Sequence, residues 1–128
     1  MTVERISLRL SFSGPVAPVP AARRAVRSLL GDAPIRFVHD ALLVTSELVA
    51  NAAEHTTGTS GLSAWFDPTD CSLRLEVADE AKELPTPTAR ARLSATPLHG
   101  LHVVDAVATA WGSSPTESGH TVWTELRS

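Results

Sequence analysis

Residues 35–56 read IRFVHDALLVTSELVANAAEHT, a run in which Phe37, Val38, Ala41, Leu42, Leu48, Val49, Ala52 and Ala53 recur three, four and seven positions apart. That spacing lays one broad apolar face along a helix. Pro34 sits just ahead of the first turn, where its missing N–H costs nothing, and Thr56, Thr57 and Gly58 supply a stop. The polar side is less ordinary. Glu47, Asn51 and either Glu54 or His55 fall at i, i+4 and i+7 or i+8, so they line one side together. A glutamate there can orient, or take a proton from, a hydroxyl or a water. An asparagine carbonyl offers a hard oxygen to Mg²⁺, which keeps most of its waters and needs only one or two protein ligands. Taken alone, the helix favours the plainer alternative of a solvated face with an incidental asparagine, because most helical glutamates only meet water.

Working outward, the 128 residues suit one domain that can bury a core without disulfides or a structural metal. With 43% apolar and 20% charged residues the composition is that of a globular protein, and a net charge of -3 gives no reason to expect nucleic acid or an anionic membrane as partner. No apolar run has the length of a membrane span, and MTVERISLRL lacks the apolar segment of a secretory signal, so the cytoplasm is the expected location. The single cysteine, Cys71, has no internal disulfide partner, which agrees with a reducing compartment.

Ahead of the central helix, Glu4 to Phe12 alternates, with Ile6, Leu8, Leu10 and Phe12 on one side, and reads as a half-buried strand. A proline-rich connection leads to a helix from Ala21 to Leu30, opened by Pro20 and ended by Gly31, with Arg23, Arg24 and Arg27 turned to solvent. After it, Leu62 to Phe66 and Cys71 to Ala78 read as a hairpin turning through Asp67, Pro68, Thr69 and Asp70, with Cys71 a small apolar strand residue. Asp79 to Pro97 is polar, proline-bearing and long for a loop, as lids over sites are. His99 to Ala108 returns to helical spacing, Trp111 opens a short strand, and His120 to Leu126 forms the last strand, with Val122 and Leu126 opposite Thr121 and Trp123. The expected fold class is therefore α+β, a two-layer sandwich with helices on one face of a mixed, mostly antiparallel sheet. Other constellations are weak. His99 and His102 are three apart on a helix but lack a convincing third metal ligand, and no G-x-S-x-G motif marks a hydrolase.

Ser46, Glu47, Leu48, Val49, Asn51, Ala52, His55 and Thr56 together resemble the N box, SELVxNAxxHT, of the bacterial anti-sigma-factor serine/threonine kinases. That family has the histidine-kinase-like ATPase fold, or Bergerat fold, and is related to histidine kinases and gyrase. Two further stretches are similar to the family. Val77, Ala78 and Asp79 match the strand end whose aspartate reads the adenine amino group, and HGLHVVDAVATAWGSSPTESGHTVWTEL, from His99 to Leu126, looks like GRGLxLVxALAxxWG…GKTVWxEL.

The resemblance implies a site for ATP and Mg²⁺ between the central helix and a lid over about 80–97. Asn51 would hold the metal, and Glu47, as the catalytic residue, would act on the attacking hydroxyl of a protein substrate. Asp79 would read adenine, Gly100 would border the phosphates, Thr121 would lie beneath the base, and His55, His99 and Leu101 would complete the cofactor-binding set. Lys82, Arg90 and Arg92 could reach a triphosphate from the lid. The implied partners are a sigma factor, which is sequestered, and an anti-sigma-factor antagonist, which is phosphorylated on serine or threonine; such proteins often form homodimers. The chain departs from the pattern in two places: Asp79 is followed by Glu80, Ala81, Lys82 and Glu83 with no glycine, and Leu98, His99, Gly100 retains one glycine of G-x-G. Side chains there stand where backbone would approach phosphate. A non-catalytic binding module of the same fold, acting by sequestration, is therefore the alternative.

Overall fold

The computed structural model describes residues 6–13, 18–55, 59–79, 99–115 and 119–128. In chain order these form β1 (Ile6–Ser13), α1 (Val19–Leu30), α2 (Ile35–His55), β2 (Thr59–Asp67), β3 (Ser72–Asp79), α3 (His99–Val107), β4 (Ala110–Pro115) and β5 (His120–Arg127). Among the described residues the order of elements is thus the predicted one.

The apolar spacing of α2 is realised as burial. Phe37, Val38, Ala41, Leu42, Leu48, Val49, Ala52 and Ala53 are all buried, and Val44 and Thr45 join them. The buried face is wider than the spacing alone indicates because α2 packs against α1, α3 and the sheet at once. Thr45 fits there because its hydroxyl donates to the Ala41 carbonyl at 2.7 Å, within the helix. Helix α1 starts two residues earlier than expected, at Val19, with Pro20 in its first turn. Ala22, Val26, Leu29 and Leu30 supply its buried face, and Gly31, with φ of 53°, turns the chain out of the helix.

The five strands lie in the order β1-β2-β3-β5-β4. All four pairings are antiparallel, so the sheet is not the mixed one expected. Alternation divides it cleanly. Leu62, Ala64, Phe66, Leu73, Leu75, Val77 and Leu126 are buried and share one core with residues of all three helices, including Val104 of α3. Phe37 and Phe66 meet across this junction with ring centroids 6.2 Å apart. The opposite face carries Ser63, Trp65, Arg74, Glu76, Trp123 and Glu125, all half-buried. The result is the two-layer α+β arrangement, helices over one face of the sheet.

Cys71 corrects one expectation. It belongs to the turn and not to the strand, with a left-handed φ of 52°. The register pairs Asp67 with Ser72, which leaves Pro68 to Cys71 as the loop. The Thr69 N–H donates to Asp67 Oδ1 at 2.9 Å, which sets the first bend, and Cys71 makes the second, returning the chain to the ladder. Its side chain still packs, half-buried, against the core.

Candidate functional site

Glu47 and Asn51 stand one turn apart on α2, each half-buried, on a helix whose residues 48, 49, 52 and 53 are buried. Their line continues toward the start of the helix through Leu43, 40% exposed. Among the described residues neither the Glu47 carboxylate nor the Asn51 amide takes a hydrogen-bond partner, and both side chains stay partly accessible.

The orientation of this stripe is set by the neighbouring residue. Arg23 of α1 donates from Nη1 to Ser46 Oγ at 2.8 Å and to the Leu42 carbonyl at 3.3 Å. Ser46 Oγ in turn donates to the Leu42 carbonyl at 2.8 Å. Ser46 is thereby held against α1, and because each residue advances about 100° around a helix, Glu47 and Asn51 are turned to another side. Sequence reasoning placed Arg23 in solvent. It is exposed, yet it staples two helices, and nothing in its own spacing signals a partner in the next helix.

Asp79 is the last residue of β3, the middle strand, and its backbone pairs with Ser60 on one side and His120 on the other. Ser60 is 2% exposed, and its hydroxyl has no hydrogen-bond partner among the described residues; Thr124, across from Leu75, is in the same condition. An unpartnered buried hydroxyl directly across from the candidate base-reading residue is a feature the sequence did not single out, since a serine in a strand carries no signal.

Helix α3 begins with His99, Gly100 and Leu101, so Gly100 lies in its first turn, and α3 packs against α2. His55 is the final residue of α2. The structure therefore brings the helix bearing Glu47 and Asn51, which packs on β3, beside the helix with Gly100 in its first turn, which packs toward β4.

Thr121 is not brought to this place. It pairs with Ala78 and Ser114, one step out of register with Asp79, and adjacent strand residues point to opposite faces. Thr121 therefore shares the outer face with Trp123 and Glu125, and the sheet separates it from α2. His120 holds the backbone position across from Asp79. The expected lid, residues 80–97 with Glu80, Lys82, Glu83, Arg90 and Arg92, lies outside the described residues, as do the side chains of His55, Asp79, His99, Leu101 and His102.

Among the described residues no group of three or more His, Cys, Asp or Glu side chains could hold a metal ion. A hard cation with several waters needs no such group, and an asparagine carbonyl one helical turn from a carboxylate, both half-buried on α2, supplies the donor types that Mg²⁺ of that kind takes. No helix among the described residues is long and apolar enough to cross a membrane.

On the outer face, Arg74 donates from Nε to Glu76 at 2.9 Å and from Nη1 to Glu125 at 2.7 Å, and its guanidinium lies 4.9 Å from the Trp123 ring centroid. The bond to Glu76, foremost, raises the Arg74 guanidinium above its ordinary value. Its charge is thus fully present at neutral pH. Both ion pairs are exposed by about a third or more, so their contribution to stability is small.

No protein-family model matches the chain, and no curated protein matches it. What classifies the protein is accordingly its own architecture and the chemistry of its residues.

Proposed function

We propose that this protein is an ATP-binding regulator of the histidine-kinase-like ATPase fold, resembling the anti-sigma-factor serine/threonine kinases. It would phosphorylate a serine or threonine of a partner antagonist and sequester a sigma factor, acting in the cytoplasm and, as the resemblance implies, as a homodimer. The observation that carries the reading is the pair Glu47 and Asn51, one turn apart and half-buried on α2, a helix that packs against the one with Gly100 in its first turn.

In this reading Glu47 orients the hydroxyl of the partner and accepts its proton as the oxygen bonds to the γ-phosphorus and ADP leaves. The Asn51 carbonyl would hold Mg²⁺, which when bound would offset phosphate charge. Asp79 accepts a hydrogen bond from the exocyclic amine of the base. The backbone at Gly100 borders the phosphates, where no side chain intervenes and the helix dipole favours an anion. Positioning and charge neutralisation supply most of the catalysis in phosphoryl transfer, so few side chains are needed.

A second reading, a binding module that sequesters its partner without transferring phosphate, is favoured by one observation: no glycine follows Asp79 closely, and only Gly100 remains before α3. Calorimetric titration with ATP, with and without Mg²⁺, separates the two. Saturable binding that is lost in Asp79→Ala, and whose magnesium dependence is lost in Asn51→Ala, supports the kinase-type site. Absence of heat at millimolar ATP from folded protein eliminates it and leaves the binding module.

A further inference from the structure

A second surface, on α1 and the start of α2, has a composition of its own. Residues 23–36 hold Arg23, Arg24, Arg27 and Arg36 against a single acid, Asp32, in a chain whose net charge is -3. Arg23 is engaged with Ser46 and Leu42. Arg24 and Arg27 are exposed, form no ion pair among the described residues, and line an open groove of ≈ 370 Å³ between the two helices. Ala33, Ile35 and Val38 supply its apolar wall, and Ile35 is 60% exposed, the highest value among the exposed large apolar side chains described.

An isoleucine left this bare beside two cations without partners is poorly explained as a solvated helix end. The exposed side chain costs apolar hydration, and the arginines repel each other with only Asp32 in the adjoining loop to offset them. Both are relieved by one kind of occupant. We infer that this groove docks an acidic segment of a partner protein, one that seats an aliphatic side chain against Ile35 and places carboxylates on Arg24 and Arg27. Planar guanidinium groups suit bidentate pairing with carboxylates, and the opposite charge of the partner would speed the encounter. A duplex or single-stranded nucleic acid would use the arginines but leave Ile35 in water, and an anionic bilayer calls for a broader apolar face than one isoleucine. The inference is independent of the nucleotide site, which lies toward the other end of α2.

The test uses the full chain and fluorescence anisotropy. The probe is a short labelled peptide in which single leucines alternate with pairs of glutamates; a peptide with glutamine for glutamate, a single-stranded oligonucleotide and phosphatidylserine vesicles serve as comparisons. Saturable binding of the glutamate peptide is expected, weakened about tenfold or more by the double charge reversal Arg24→Glu with Arg27→Glu. Ile35→Ser should weaken it too, whereas Arg9→Glu, on β1, should leave it unchanged. All four residues are exposed, and circular dichroism checks that each variant is folded. Equal binding of the glutamine peptide, an equal loss in Arg9→Glu, no effect of the groove variants, or tighter binding of the oligonucleotide or vesicles would each overturn the inference, as would no binding at all.

Discussion

Gly112 of β4 stands across from Trp123 of β5, and a Cβ added there would lie 2.9 Å from Trp123 Cζ2. Glycine at this position is thus a requirement of contact, and the contact determines where the indole can rest beneath Arg74. Gly112→Ala should push the ring aside and destabilise the protein by about 1–3 kcal/mol. Urea denaturation would measure the loss, and a changed near-ultraviolet dichroism of the tryptophans would show that the ring is what moved. An unchanged spectrum with unchanged stability would mean the ring has room to spare. The requirement was not legible in the sequence, because it depends on which strand lies beside β4. Thr121 illustrates the same limit. Its place on a strand, and on the side opposite Val122, could be read from alternation, but which side faces the helices relative to Asp79 depends on the pairing of β3 with β5. Cys71 was misread for a related reason: it falls in phase with Leu73, Leu75 and Val77, and only the register of the hairpin assigns it to the turn.

At the scale of elements, α2 was the most legible because twenty-one residues of helix give the apolar period room to declare itself. Glu47 and Asn51 followed from the same period, being defined by their separation along one helix. Contacts between helices were invisible, and the Arg23 staple is the clearest case. Removing either end of it should cost about 0.5–1.5 kcal/mol. Arg23→Ala and Ser46→Ala, combined in a double-mutant cycle by chemical denaturation, should give less than the sum of their separate effects, since each deletes the same bond. Strict additivity would show that the bond contributes nothing. The staple also bears on the candidate site: a measurable coupling means that α1 fixes the rotation of α2 and so the direction of Glu47.

For the whole molecule, the antiparallel sheet with helices on one face agrees with what the order of elements implied, except that no parallel pairing occurs among the described strands. Composition conveyed net charge but not its distribution, and the basic surface of residues 23–36 emerges only when α1 and the start of α2 are seen to share a groove. The same global view makes β5 the keystone of the sheet, since it gives β3 its second neighbour and β4 its neighbour among the described strands. A chain ending at Pro115 should therefore lack a cooperative thermal transition by circular dichroism, whereas a cooperative transition near that of the full chain would contradict this role.

The strand order also imposes a timetable on synthesis. The hairpin of β2 and β3 can close as soon as it leaves the ribosome, but the far edge of β3 lacks β5, its neighbour among the described strands, until residues 80–127 have been added. At ordinary rates of translation that delay is on the order of seconds. For its duration the strand at the centre of the finished sheet is an open edge, a row of unpaired N–H and C=O groups able to recruit another nascent chain. The nascent polypeptide is thus most adhesive in the interval before β5 emerges, and its yield in a cell should depend on how well chaperones shield that one edge.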